Sequence, residues 1–253
     1  MRDPLPVSQF AGQNRIVGVI ASLAALARAV RLRQPPDLFE LRLDALRHSL
    51  GAIEQALPRL RAPLILTARH PAEGGRGRLT VAARRALLGR FLPHAALVDL
   101  EFRSVRQMPA LLAEIRRRRL GLIVSRHDLR RTPSLGELRR FARAAAALRP
   151  AIIKVAARTN TAAELARLLA FFEECHRDLP LAAMGTGKLG PESRRRLARL
   201  GSVLTYVSLD HPVVPGQPTL GQLRRARRAY TRERPPAQCP TPLNCHPPSP
   251  SCP

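Results

Sequence analysis

Tryptophan is absent, and only two Tyr and seven Phe occur in 253 residues. A chain with so few flat rings has little with which to stack unpaired bases. Lysine is nearly absent as well: of 43 basic residues only Lys154 and Lys188 are lysines, the rest being arginine. Acid is scarce relative to base, 18 Asp and Glu leaving a formal charge of +25. No apolar stretch of 18 residues is free of charge, which excludes a membrane-spanning helix. The longest apolar run, from Ile16 to Val30, is interrupted by Arg28 and divides into a strand-like half and a helix-like half, unlike the uniform core of a secretory leader. Of the four cysteines, Cys239, Cys245 and Cys252 lie in the last 15 residues and only Cys175 in the body. That distribution does not make a disulfide framework, and the spacings of six and seven residues fit no common zinc pattern. A cytoplasmic protein without a bound metal is expected.

What the chain does have is 45% apolar residues, enough to bury a substantial core. Short β-rich runs begin near Ile16, Leu38, Leu64, Leu97, Leu122, Ile152, Leu181 and Val203. Each is followed by a segment in which Leu and Ala recur at helical spacing with arginine on the other face. Cap and turn signals stand where helices should start, as in Thr132-Pro133-Ser134 and Thr159-Asn160-Thr161. Alternating strands and helices imply parallel strands with right-handed crossovers. Eight such units are the number that closes a (β/α)8 TIM barrel. The rival, a doubly wound open sheet, announces itself by a Gly-rich first turn, and Gly18-Val19-Ile20-Ala21-Ser22-Leu23 has none. A barrel over residues 1–230 and a disordered tail over 231–253 are therefore predicted, the tail holding eight of the 24 prolines.

In such a barrel the C-terminal strand ends face the active site. Read in order, those ends carry Glu40, Arg42 and Asp44; Thr67 and Arg69, leading into His70-Pro71-Ala72-Glu73-Gly74-Gly75; Asp99 and Glu101; Ser125 and His127; and Lys154 within Ile152-Ile153-Lys154-Val155-Ala156. Burying such groups singly would cost several kcal/mol each, so inward arginines and carboxylates must pair. Lys154 is the most informative residue. Arginine stays protonated and cannot form an imine, whereas a desolvated lysine can lose its proton and attack a carbonyl. His127 ends the strand beside the lysine's strand, and Glu73 lies in a loop on the same barrel face. Imine former, acid–base group and orienting carboxylate together make a triad with roles. Lys188, in a Gly-rich loop, reads as a solvated charge, and His48, His70, His94, His176 and His211 as surface residues.

These residues resemble type I 3-dehydroquinate dehydratase, the Schiff-base-forming enzyme of the shikimate pathway of aromatic amino acid biosynthesis. The matching segments are Glu40-Leu41-Arg42-Leu43-Asp44, Ile65-Leu66-Thr67-Ala68-Arg69 with Glu73-Gly74-Gly75, Val98-Asp99-Leu100-Glu101, Ser125-Arg126-His127-Asp128 with Thr132-Pro133, and Ile153-Lys154-Val155-Ala156. Met184-Gly185, Ser193-Arg194, Gly201-Ser202 with Thr205, and Pro215-Gly216-Gln217 complete an ordered set across residues 16–225. The resemblance implies a lyase in which Lys154 forms the imine, His127 is the acid–base residue and Glu73 its carboxylate partner. It implies Glu40, Arg42, Arg69, Arg194 and Gln217 as contacts to the anionic substrate, 3-dehydroquinate, with no cofactor and no metal, and a homodimer. Arg194 with Gln217 would clamp the substrate carboxylate, and Arg42, Arg69 and burial would disfavour an ammonium at Lys154. The chain departs from the family at Val213, where a serine can stand, and in a longer stretch from Met184 to Gly190.

Two rival functions follow from other features. The +25 charge and runs such as Arg116-Arg117-Arg118-Arg119 suit nucleic acid, but the arginines fall on the polar faces of outer helices, so only non-specific binding is expected. Another lysine-imine barrel, such as an aldolase, would need a phosphate cradle. After the seventh and eighth strands the sole glycine-rich candidate is Gly185-Thr186-Gly187.

Overall fold

The computed structural model describes residues 14–212 and 216–233, and its strands fall where the apolar runs predict them. They are β1 (Arg15–Ile20), β2 (Leu38–Arg42), β3 (Leu64–Thr67), β4 (Ala95–Glu101), β5 (Gly121–Asp128), β6 (Ile152–Arg158), β7 (Leu181–Thr186) and β8 (Leu204–Ser208). Each strand from β1 to β6 pairs in parallel with its successor, and β8 pairs with β1. Between β7 and β8 the backbones also meet, Val203 N donating to Leu181 O at 3.1 Å. The result is a nearly closed eight-stranded barrel, as the count of repeats requires.

The helices between strands are α1 (Leu23–Arg31), α2 (Leu50–Ala56), α3 (Val81–Phe91), α4 (Phe102–Val105), α5 (Pro109–Arg117), α6 (Leu135–Ala146), α7 (Ala162–Cys175) and α8 (Gly190–Leu200), with α9 (Leu220–Glu233) after β8. The link from β4 to β5 holds two helices where the repeat predicts one, because Pro109 restarts the helix at its own first turn. Both cap signals act as read. Ser134 accepts from Glu137 N and Thr161 from Glu164 N, each completed by the glutamate reaching back to its cap.

The chain divides into two compact units, 1–220 and 221–253, and α9 continues to Glu233, past the predicted start of the tail at Thr231. Residues 234–253, with Cys239, Cys245 and Cys252, lie outside the described residues, as does Val213. No helix among the described residues is long and apolar enough to cross a membrane.

Parallel strands covered on both faces read as continuous apolar runs, and β3 (Leu-Ile-Leu-Thr) is buried throughout. Inside the barrel Val17, Leu38, Ile65, Leu97, Ile123, Ile152, Ala182 and Leu204 plug the N-terminal half. Each fully buried aliphatic side chain of this kind is worth about 1.5–3 kcal/mol. Two residues further along, the inward positions of six strands turn polar, as Glu40, Thr67, Asp99, Ser125, Lys154 and Tyr206, while Val19 of β1 and Met184 of β7 stay apolar. This change of character, from greasy plug to charged floor, sets where chemistry can happen.

Candidate active site

Lys154 is 3% exposed in mid-β6. Its Nζ donates to Asp99 Oδ2 at 2.9 Å and stands 3.6 Å from Glu40 Oε1. The same nitrogen lies 4.0 Å from the ring centroid of Tyr206, close enough for a cation–π contact. The nearest charges to the amine are thus carboxylates. Arg42 and Arg69, expected to press on the lysine as like charges, are instead engaged by acids of their own. Arg42 forks onto Asp44, Nε to Oδ1 at 3.0 Å and Nη2 to Oδ2 at 2.9 Å.

Arg69 is the hub of the floor. Its Nη1 donates to Asp99 Oδ1 at 3.0 Å, Glu101 Oε1 at 3.0 Å and Ser125 Oγ at 2.8 Å, and its Nη2 to Asp99 Oδ2 at 2.8 Å. Burial opposes the charge, but Asp99 and Glu101 outweigh it and hold the guanidinium well above its usual pKa. Burial likewise opposes ionisation of Asp99, yet Arg69 and Lys154 keep its carboxyl well below the carboxylate range. Thr67 Oγ1 donates to Glu40 Oε1 at 2.9 Å, and Ser125 Oγ to Asp99 Oδ1 at 2.6 Å. Beneath the hub lies Arg84 of α3, fully buried. Its Nε donates to Ala68 O at 2.7 Å, its Nη1 to Ser104 Oγ at 3.0 Å and its Nη2 to Glu101 Oε2. A buried ion network of this density is tolerable only because every member is hydrogen-bonded.

The imidazole of His127 sits at the end of β5, and Glu73 on a short 3-10 helix, Pro71–Glu73. Glu73 Oε2 accepts from His127 N at 2.8 Å and lies 3.0 Å from Nδ1. With Nδ1 committed to the carboxylate, Nε2 is the nitrogen left for a substrate. Burial, then Arg69 and Lys154, lower the imidazole well below its ordinary 6.5, so it is uncharged at neutral pH. Burial raises the Glu73 carboxyl from 4.5 to about 7. The Glu73 carboxyl therefore changes charge near neutrality, beside an imidazole that is already neutral there. The loop that presents Glu73 is built by two glycines. Gly74 ends the 3-10 turn at φ 88°, and a Cβ on Gly75 would stand 2.1 Å from Arg69 O. His70, half-buried and not a surface residue, anchors the turn: its Nδ1 accepts from Ala72 N at 3.0 Å and its N donates to Glu101 Oε1 at 2.9 Å.

Arg194 enters from α8, 9% exposed, and has no ion-pair partner among the described residues. Its Nε has no hydrogen-bond partner there either. Burial pulls this guanidinium down to about 10, with Tyr206 a small opposing influence. An uncompensated buried cation is a site waiting for an anion. Gln217 is buried beyond the end of β8, 6% exposed. Amides in and just after the Gly185-Thr186-Gly187 loop are bonded within the fold. Gly185 N donates to Ser193 Oγ at 2.9 Å, Lys188 N to Asn160 Oδ1 at 3.0 Å and Leu189 N to Thr159 O at 2.9 Å. Lys188 itself is exposed, as are His48, His94 and His211, while His176 is half-buried against Phe172.

The structure brings Lys154, Glu40 and Arg69 into one network and pairs His127 with Glu73, while Arg42 reaches that loop through Gly74 O at 3.3 Å. Sequence reasoning assigned no role to Asp99, although its period-two placement with Glu101 on β4 was a usable signal. It missed Tyr206, the aromatic platform under the amine, and Arg84. For Arg84 there was no signal: its neighbour Arg85 is the same residue type on the same helix and is exposed.

The model of the type I 3-dehydroquinase family matches residues 19–233. A 3-dehydroquinate dehydratase from Thermococcus gammatolerans is 31% identical over 217 residues, spanning 83% of this chain and 96% of that protein. One from Thermococcus onnurineus is 32% identical over the same shares. Among solved structures, the 3-dehydroquinate dehydratase of Geobacillus kaustophilus superposes with a TM-score of 0.76 at 27% identity, covering 87% of this chain and 92% of the other. That of Aquifex aeolicus gives a TM-score of 0.69 at 27% identity, covering 86% and 99%.

Proposed function

The chain belongs to the type I 3-dehydroquinase family of hydro-lyases, and on that premise we propose that it dehydrates 3-dehydroquinate to 3-dehydroshikimate through an imine on Lys154, with His127 moving the protons. The observation that carries this reading is the placement of Lys154: one of two lysines in the chain, 3% exposed at the centre of the barrel.

Water must leave β to a ketone, and the intervening C–H is too weakly acidic for a neutral base to remove at a useful rate. Lys154 supplies the electron sink. Its ammonium gives a proton to the uncharged imidazole of His127, since Asp99 is held too acidic to serve as a base. The amine adds to the carbonyl, the imidazolium protonates the resulting carbinolamine hydroxyl, and water leaves to give an iminium. His127 is again neutral. Its Nε2 then takes the C–H proton, the electron pair flows to the iminium nitrogen as an enamine, and the imidazolium returns the proton to the departing hydroxyl. Hydrolysis of the conjugated iminium, with the same proton relay, frees product and restores Lys154. Glu73 holds the imidazole in one orientation and offsets its charge whenever it is protonated. Arg194, the inward guanidinium without a carboxylate partner among the described residues, takes the substrate carboxylate with Gln217 beside it. Glu40, Arg42 and Arg69 complete the substrate's polar surroundings.

Reduction with borohydride in the presence of 3-dehydroquinate should add the ligand's mass at Lys154, and turnover should appear as the ultraviolet absorbance of a conjugated enone. Labelling at another residue, or none, would overturn the mechanism. In His127→Ala the imine should still be trapped while the enone signal collapses.

A further inference from the structure

Strand β8 carries two hydroxyls that are buried without a hydrogen-bond partner among the described residues, Tyr206 Oη and Ser208 Oγ. Tyr206 is 4% exposed and Ser208 1%. A buried hydroxyl left unbonded costs about 1–3 kcal/mol, and here two stand two residues apart on the inward face of one strand. Their surroundings point to a ligand. The Tyr206 ring lies 4.0 Å from Lys154 Nζ, and its phenol is within electrostatic reach of Glu40, Asp99, Arg69 and Arg194. The Nε of Arg194 is itself unpartnered. Tyr206 thus borders the space beside Lys154 with an unbonded hydroxyl, Arg194 lies within electrostatic reach of that phenol, and Ser208 stands at the next inward position of the same strand.

Packing does not require the phenol oxygen. Phenylalanine would fill the same space, keep the ring against the ammonium and remove the unbonded group. Burial, then the carboxylates of Glu40 and Asp99, push the phenol well above its usual pKa, so it keeps its proton and acts as a donor.

We propose that Tyr206 is a further substrate-binding residue, its O–H donating a hydrogen bond to an oxygen of the hydroxylated ring acid held on Lys154, with Ser208 Oγ as a second contact on the same side. The proposal rests on Lys154 as the imine lysine and adds a selection rule. A keto acid lacking oxygen on the face toward β8 leaves both hydroxyls unbonded and is disfavoured.

The test is Tyr206→Phe, alone and combined with Ser208→Ala, measured for Tm and for kcat/KM on 3-dehydroquinate, with borohydride trapping at Lys154 alongside. The expected result is a Tm equal to or above that of the parent, trapping retained, and kcat/KM lower by roughly 5- to 100-fold. A raised Tm with kcat/KM within about twofold of the parent in both variants overturns the proposal, since the hydroxyls would then be unbonded with and without substrate. If the parent itself fails to produce enone, the dehydratase reading falls by that result, and the hydroxyls are judged by the Tm rise that 3-dehydroquinate induces. A smaller rise in Tyr206→Phe supports the contact, and an equal rise refutes it.

Discussion

In the mechanism proposed above a single amine decides the chemistry, and its neighbours decide when it can react. Lys154→Arg keeps a cation facing Asp99 and Glu40 but cannot form an imine, so turnover should fall at least about a thousandfold. Retention of appreciable enone production by that variant would exclude covalent catalysis. The Glu73–His127 pair makes a second prediction. A carboxyl raised from 4.5 to about 7 stabilises the fold below pH 4.5 and loses that contribution as pH climbs through 7. An imidazole held below its ordinary 6.5 works the opposite way, weakening the fold as pH drops under 6.5. Between these limits the two cancel, because the folded pair and the unfolded pair each bind about one proton. Glu73→Gln removes one side of the balance. Its Tm should therefore fall more steeply than the parent's on acidification from pH 7 to 5 (range about as set by the two groups), and parallel Tm profiles would show that the two side chains do not offset each other.

At the scale of elements, one helix and one loop hold the floor in register. α3 contributes Arg84, whose guanidinium binds Glu101 from below while Arg69 binds it from above. Arg84→Met strands a buried carboxylate and should cost about 3–5 kcal/mol, read as a drop in Tm or in the denaturant midpoint. Arg85→Met, one residue on and exposed, should lie within about 0.5 kcal/mol of the parent. Equal effects would mean that the network beneath Arg69 is not under tension from its own charge. Gly75→Ala drives a Cβ into the Arg69 carbonyl, so it should displace the Glu73 turn and lower turnover more than Tm. The elements themselves were legible from sequence: β6 begins at the predicted Ile152, and Ser134 and Thr161 cap where their side chains suggested. The doubling of the helix between β4 and β5 was less so, because Phe102–Val105 is a single turn, too short for a period to register.

For the whole molecule, the charge of +25 sits mainly on the outer helices, while the inward arginines Arg69 and Arg84 are neutralised by carboxylates. The surface field should bind DNA at low salt without sequence preference, with log affinity falling linearly in log salt by about 0.9 per phosphate contacted. Sequence-dependent binding that survives at about 0.2 M salt would assign the arginines a role the barrel does not suggest. Fluorescence anisotropy with two unrelated duplexes measures both.

The order of residues alone determined that eight apolar runs would close into a parallel barrel, since only burial on both faces makes such runs stable. It also placed Lys154 in the interior, because a lysine in the middle of a buried strand has no solvent to reach. Periodicity, though, reports which side of an element a residue is on, not which partner it meets there. Carboxylates and not guanidinium groups stand beside Lys154, Arg84 is inside while Arg85 is outside, and two hydroxyls of β8 lack a bond among the described residues. Those outcomes depend on distances between strands far apart in the chain, and tertiary packing alone sets them.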